Sequence, residues 1–230
     1  MFVPPATAPL RPSRVRAGDP ATLRELAERV RPTTASRTQV LPVPGALAAL
    51  LPDRGLRRGS VVRCSGGGAL SLILAAVGAA SATGSWCGLV GVDDVGALAA
   101  AGYGVDLRRL VVVRAPAAHW AVAAGRLLDG FDVVVVRPPG RPRPPVVRSL
   151  VARARERRAV LIVFGDRAGW PEPADVSLCV IEGRWLGLDR GAGRLQARRV
   201  TVVADGRGPA VRPVRRELWL PAATGRVAAA

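Results

Sequence analysis

Short β-branched runs that alternate with longer helical runs are the feature that most restricts the fold of this chain. The strand-type runs are apolar throughout, which is typical of parallel strands that are buried on both faces. Alternation at this spacing predicts βαβ units around a mostly parallel sheet, flanked by helices, and so an α/β fold. The predicted strands are 60–65, 86–92, 110–114, 132–137, 159–165 and 177–182, and the predicted helices are 69–82, 94–102, 117–129 and 144–157.

The N-terminal part, residues 1–38, contains little that predicts a folded core. Its first 20 residues are rich in proline and lack hydrophobic periodicity, so we expect them to be disordered. Residues 21–31 follow a helical pattern that places Leu23, Leu26 and Val30 on one apolar face. This stretch therefore predicts a helical arm, with a polar linker behind it, that docks on the core or on another subunit.

The sequence after Glu182 follows a different pattern, with short segments of alternating apolar and polar residues separated by glycines. Residues 195–204 and 211–220 flank an Asp-Gly-Arg-Gly-Pro turn, which predicts an antiparallel β-hairpin. We therefore expect the parallel core to be extended by antiparallel strands. The predicted units are an N-terminal arm at 1–38, a core at 39–182, a β extension at 183–220 and a disordered tail at 221–230.

Residues 64–92 contain no charged side chain, a length that could cross a bilayer. Small and polar turn formers interrupt the run near residues 78–86, which favours a buried helix followed by a buried strand. The N-terminus lacks a basic-then-apolar signal pattern, so we expect a cytoplasmic protein without a membrane span. Three widely separated cysteines and a single histidine, His119, predict reduced thiols and no metal site.

Arginine supplies all 34 basic side chains, against 17 acidic ones, for a net charge of +17. Residues 141–230 are the more basic part, with 18 arginines and 8 acids. Such an excess favours an acidic protein surface or, as a weaker alternative, the sequence-independent binding of nucleic acid. A further alternative is that these arginines form a solvent-exposed basic surface that binds no partner. The candidate contact residues are Arg153, Arg157, Arg198, Arg199, Arg212, Arg215 and Arg216.

The stretch VVRCSGGGALSLILAAV, residues 61–77, has the strand–glycine–helix order of a phosphate-binding loop. Gly66, Gly67 and Gly68 offer backbone N–H groups at a helix N-terminus. The lysine and hydroxyl of a working loop are missing, because Leu72 and Ile73 occupy those positions. The strand that would end in a metal-binding carboxylate is followed instead by Arg137. We therefore expect a degenerate loop, without cofactor or catalytic residues.

Two blocks resemble a known family. They are VPGALAALLPDRGLRRGSVVRCSGGG, residues 43–68, and AAAGYGVDLRRLVVVRAPAAHWAVAAGRLLDGFDVVVVR, residues 99–137. Gly55, Leu56 and Gly59 match the first motif, and a helix with Trp120 follows the second. In this order the blocks resemble the RecA-like recombinase core, and specifically its nucleotide-site-degenerate relatives of the ImuA family, including the actinobacterial ImuA′ branch. The resemblance covers about residues 21–220.

The resemblance implies a non-catalytic adapter of DNA-damage-induced mutagenic translesion synthesis. It implies as partners an ImuB-like protein, which is an inactive relative of the Y-family polymerases, together with RecA and an error-prone replicative-type polymerase. RecA-like enzymes place a catalytic glutamate near the position of Asp93 and Asp94 here. With the lysine and metal ligand absent, we interpret these acids as turn residues that cap the helix at 95–101.

Two other classes of function stay open at the level of the sequence. A cell-division inhibitor of the SulA type is also RecA-like without nucleotide, and it would bind a tubulin-like division protein. A cryptic nucleotide-binding protein would use Gly66–Gly68 with arginines in place of lysine. Among the tryptophans, Trp170 and Trp185 lie in loop-like sequence, so they are the ones we expect to be exposed.

Overall fold

The computed structural model of the chain describes residues 39–166, 169–189 and 192–230. The predicted N-terminal arm, with Leu23, Leu26 and Val30, lies outside the described residues. The described part begins with a small antiparallel sheet of two strands, β1 (Val40–Leu41) and β2 (Leu56–Arg57). Helix α1 (Gly45–Ala48) lies between them in the chain.

A second, nine-stranded sheet contains the remaining strands of the described ranges. Its strands are β3 (Val61–Gly66), β4 (Cys87–Val90), β5 (Leu110–Val113), β6 (Val133–Val136), β7 (Val160–Phe164), β8 (Val176–Asp189), β9 (Ala192–Gly206), β10 (Val214–Trp219) and β11 (Ala228–Ala229). The helices are α2 (Ala69–Ala82), α3 (Ala97–Gly102), α4 (Trp120–Leu128) and α5 (Pro144–Arg157), with short 3-10 helices at Leu107–Arg109 and Gly208–Ala210.

The strand order of the large sheet is β5-β4-β6-β7-β3-β8-β9-β10-β11. Neighbours from β5 to β8 are parallel, whereas β8-β9, β9-β10 and β10-β11 are antiparallel. The chain therefore has an α/β fold with a mostly parallel sheet and an antiparallel extension at one edge, as the alternation of strand and helix runs predicts.

Both faces of the parallel part are covered, because successive residues of a strand point to opposite sides. On β3, Val62 and Cys64 pack in one apolar cluster with α2, whereas Val61 packs in a second cluster with α4 and α5. The same alternation runs through the four consecutive valines of β6. Burial on two faces explains why the sequence of these strands is apolar at every position.

Two segments differ from the sequence-based expectation. The strand predicted to end at Glu182 continues to Asp189 and pairs with β9 along its length. Beyond Glu182 the strand is exposed on both faces, so it lacks the apolar run by which a buried strand is detected. The tail at 221–230, expected to be disordered, includes β11, whose backbone pairs with Leu218 and Trp219. Its alanines give no β signal.

Within the described ranges, no helix is both long enough and apolar enough to cross a bilayer. The uncharged run at 64–92 divides instead into the end of β3, helix α2 and strand β4. The three cysteines are free thiols. Cys64 and Cys87 are buried, and burial raises the pKa of the Cys64 thiol to about 12, whereas Cys179 is partly exposed.

A nearly buried ion pair ties the beginning of β3 to the beginning of β6. The Nη1 atom of Arg58 lies 2.7 Å from Oδ1 of Asp132, and each side chain is only about one-tenth exposed. The second carboxylate oxygen accepts the backbone N–H of Trp86 at 2.9 Å. Removal of this carboxylate would abolish both its ion pair with Arg58 and its hydrogen bond from Trp86, in a place that is poorly hydrated.

We expect Asp132→Ala to lower the free energy of unfolding by about 3 kcal/mol, the cost of removing one partner of a buried pair. Urea denaturation followed by circular dichroism measures the change. Asp53→Ala at an exposed position is the matched control and should change stability by less than about 0.5 kcal/mol. Equal effects of the two substitutions would contradict a stabilising role for the Arg58–Asp132 pair.

Candidate functional site

The glycine loop connects β3 to α2 in the middle of the sheet. Gly66 has φ of +86° and Gly68 has φ of +101°, a left-handed region that disfavours other residues. A Cβ at Gly66 would also collide with the carbonyl oxygen of Val180 on β8. The strand–glycine–helix order predicted from the sequence is confirmed, and Gly68 is the N-cap residue of α2.

Arg198 reaches from β9 to this loop. A Cβ built on Gly68 would lie 2.5 Å from its Nη1 atom, and one built on Gly67 would lie 3.6 Å from Nη2. On the other side, a Cβ on Gly183 would lie 2.6 Å from Nη2, and the Cζ atom is 5.7 Å from the ring centroid of Trp185. The guanidinium therefore lies between the loop and β8, over the part of the loop that holds phosphate in a working P-loop.

The electrostatics of this arrangement are unusual, because a cation lies beside the partial positive charge of a helix N-terminus. The Nε atom of Arg198 is buried, and none of its neighbours in the described ranges accepts a hydrogen bond from it. Packing against the glycines and Trp185, rather than ion pairing, therefore holds this side chain. The fit depends on residues without side chains at positions 68 and 183.

The end of β6 carries Arg137 where a metal-binding carboxylate would be needed. Its guanidinium donates two hydrogen bonds to Asp94, which follows β4, over 2.8 and 3.2 Å. The Cζ atom of Arg137 also lies 3.9 Å from the ring centroid of Phe164 on β7. The carboxyl edge of the parallel strands thus holds an arginine–aspartate pair at this position.

Asp93 and Asp94 lie in a turn, as predicted, but the prediction that they cap the following helix is wrong. Helix α3 begins at Ala97, and its N-cap is Gly96, which provides no side-chain hydrogen bond. Asp94 binds Arg137 instead, and those hydrogen bonds hold the pKa of its carboxyl below the usual range. An oxygen of Asp93 lies 3.8 Å from the Nε atom of Arg114, with both side chains about two-thirds exposed.

Two of the candidate arginines connect helices. The Nε atoms of Arg153 and Arg157 lie 2.9 and 3.2 Å from the same oxygen of Asp129, immediately after α4. Both side chains are nearly half exposed, so solvent screens the pairs. Their position at the α4–α5 contact indicates a structural contribution.

The remaining candidates lie on or beside β9 and β10. Arg199 pairs with Glu217, and Arg215 lies 3.6 Å from Glu182. Arg212 and Arg216 are exposed, and neither has a carboxylate partner among the described residues. The two unpaired arginines are the better candidates for contacts with an acidic partner.

The sequence did not predict that β8 and β9 extend beyond the rest of the sheet. We call the part formed by residues 181–189 and 192–197 the ribbon. Trp185 lies here with 40% of its surface exposed, as expected, whereas Trp170 is 3% exposed and packs with α4 and α5, contrary to expectation. The prolines and the glycine around Trp170 indicated an exposed loop, but the side chain of Trp170 is buried.

Comparison with known proteins identifies the family. Residues 49–172 match the family model described as the MT3502 N-terminal domain. The chain belongs to the MT3502 N-terminal domain family. The matched segment contains β2 to β7, the glycine loop, Asp94 and Arg137, so the carboxyl ends of these strands lie within the family domain. Arg198 and the ribbon lie beyond it.

The chain is also similar to an uncharacterized protein of Mycobacterium tuberculosis, Rv3395c. The two are 40% identical over 104 residues, which is 44% of this chain. The match spans about half, 51%, of that relative's length. Neither this name nor the family description states an activity.

We expect Asp94→Asn to lower stability at pH 7 by no more than about 1 kcal/mol, because the pair with Arg137 is largely exposed. The pKa of Asp94 is depressed in the folded state. Its ion pair with Arg137 therefore stabilises the folded protein fully above the unfolded pKa of about 4. It is lost as the pH falls through the lower folded pKa. Thermal unfolding of wild type and variant from pH 7 to pH 2 measures the difference, which should disappear at the acid end.

Asp93→Asn is the matched control, since its contact with Arg114 is longer and more exposed. A pH-independent effect of Asp94→Asn, or an equal effect at Asp93, would contradict the ion-pair assignment.

Proposed function

We propose that this chain is a RecA-like domain that has lost nucleotide chemistry and acts as a non-catalytic adapter in DNA-damage-induced mutagenic translesion synthesis. Its partner in this proposal is an ImuB-like inactive relative of the Y-family polymerases, with RecA and an error-prone replicative-type polymerase as further partners. The complex acts in the cytoplasm, without a bound nucleotide or metal.

The observation that carries the proposal is the contact between Arg198 and the glycine loop. The loop keeps the backbone shape that turns a central strand into a helix, but a side chain of the same chain lies over Gly67 and Gly68. In this proposal the guanidinium fills the space that a phosphate on the loop N–H groups would need. An arginine at this place is also what the cryptic nucleotide-binding alternative requires, and titration with ATP separates the two. The proposal explains why the glycines persist although the lysine and hydroxyl of a working loop are absent.

The carboxyl edge of the sheet supports the same conclusion. Nucleotide hydrolysis on a P-loop requires a magnesium ion that a carboxylate and a hydroxyl hold near the phosphates. Arg137 has replaced the carboxylate, and its hydrogen bonds to Asp94 engage the acid that lies closest to that place. A cation at the metal position repels Mg²⁺, so this edge is suited to a structural role.

The position of the loop supports the RecA-like assignment. The glycine loop follows β3, which lies between parallel neighbours on both sides, β7 and β8. A strand–loop–helix unit at the centre of a parallel sheet is the arrangement that P-loop proteins use. The first sequence block that resembles the ImuA family, residues 43–68, contains β3 and the glycine loop, and the second, residues 99–137, follows α2.

Capture of the tagged full-length chain from cells treated with a DNA-damaging agent tests the proposal. We expect an inactive Y-family polymerase relative to copurify, enriched at least tenfold over the same capture from a strain with the tag alone. Recovery of a tubulin-like division protein instead would assign the chain to the SulA class. Absence of polymerase-related partners would contradict the adapter proposal.

A variant without residues 1–38 separates the arm from the core. If the predicted arm carries the polymerase partner or RecA, its deletion removes that protein from the captured complex. Retention of every partner would show that residues 39–230 bind them.

A further inference from the structure

The ribbon leaves the sheet where its neighbours stop. Pairing of β8 with β3 ends at Val180, and pairing of β9 with β10 ends at Arg199. Past these points the described parts of β8 and β9 pair with each other across the register from Glu182 to Asp189. An isolated two-stranded ribbon is marginally stable in water, and its free edges can accept another strand.

The ribbon concentrates large apolar side chains at the surface. Nine large hydrophobic residues are exposed in the described part of the chain, and five of them lie within the ribbon. They are Ile181 (46% exposed), Trp185 (40%), Leu186 (42%), Leu188 (61%) and Leu195 (50%). Single exposed apolar residues are ordinary, but a cluster of this kind marks an interaction surface.

The ribbon also carries two exposed arginines, Arg184 and Arg194, within a chain whose net charge is +17. At its base, Arg198 packs on the glycine loop and Arg199 pairs with Glu217, so these two are already engaged. Tryptophan and arginine beside apolar side chains are the residue types that dominate the energetics of protein–protein interfaces. The positive charge favours a partner of opposite sign and speeds its encounter.

We propose that the ribbon is a docking surface for an acidic segment of a partner protein that also carries apolar side chains. Apolar residues of the segment cover Leu186 and Leu188, and its carboxylates meet Arg184 and Arg194. The free edge of β8 can add the segment as a further strand through backbone hydrogen bonds.

Other occupants fit this surface less well. A second copy of the chain would bring +17 against +17, so like charges oppose it. Residues 1–38 contain seven arginines and three acids and are repelled for the same reason. Nucleic acid would satisfy the arginines, but single strands bind through stacking on aromatic rings, and the described ribbon offers one ring among four aliphatic side chains.

The inference concerns a surface and the chemistry of its partner, and it holds whether the chain serves translesion synthesis or cell division. Failure of the capture experiment above would leave it standing. Conversely, if the ribbon binds no partner, the adapter proposal still stands, with a different contact surface.

Site-specific photocrosslinking in cells identifies what covers the ribbon. We place p-benzoylphenylalanine at position 188 of the full chain, and at position 98 as a control, because Leu98 is exposed but lies on α3. The proposal predicts that position 188 links to a peptide of another protein with excess acidic residues and at least two large apolar ones. Links to a second copy of this chain, to its N-terminal segment or to nucleic acid, or no link beyond the level of position 98, would overturn it.

A synthetic copy of the crosslinked peptide then gives the affinity. We expect R184E/R194E and L188S/L195S each to weaken peptide binding to the purified full chain at least tenfold, and the charge-reversed pair to remove most of its salt dependence. R141E, an exposed arginine outside the ribbon, should bind as wild type does. Unchanged thermal unfolding shows that the variants are folded, and unchanged peptide affinity in both would overturn the proposal.

Discussion

The sharp turn from β3 into α2 is the constraint on which the rest of the structure depends. Gly66 lies so close to the carbonyl of Val180 that no side chain fits, and this contact also sets the distance between β3 and β8. Because β3 lies between β7 and β8, the turn fixes where α2 packs on one face of the sheet. The antiparallel extension begins at β8, so it depends on the same contact.

The carboxyl edge of the sheet is held by packing and ion pairs between arginines and their neighbours. Arg198 lies on the glycine loop against Trp185, and Arg137 lies between Asp94 and Phe164. These arginines come from β9 and from the end of β6, so two separate elements contribute cations to this edge.

The basic and apolar residues that remain at the surface are distributed unevenly. Arg153 and Arg157 share Asp129, whereas Arg212 and Arg216 have no carboxylate partner in the described part of the chain. The exposed apolar side chains lie mainly on the ribbon rather than beside these arginines. We therefore propose that other proteins bind on the antiparallel side of the molecule, outside the segment that matches the family.

Much of the fold was predictable from sequence, because buried parallel strands are apolar at every position and helices repeat at another period. Helices α2 and α5 have the predicted bounds, 69–82 and 144–157. The contact of Arg198 with Gly68 was not predictable, since a side-chain contact between residues so distant along the chain leaves no local pattern. The ribbon was not predicted, because glycines such as Gly183 and Gly187 are typical of turns. The burial of Trp170 was not predicted, because it depends on packing against α4 and α5. The ImuA resemblance stays a prediction.

We propose that the glycine loop after β3 serves as a structural turn and binds no nucleotide. Isothermal titration of the purified full chain with ATP and Mg²⁺ up to millimolar concentration tests this directly, with an active RecA-type ATPase as the positive control. We expect no saturable heat for this chain. Saturable binding that is lost on Gly68→Ala substitution would contradict it and would restore the cryptic nucleotide-binding alternative.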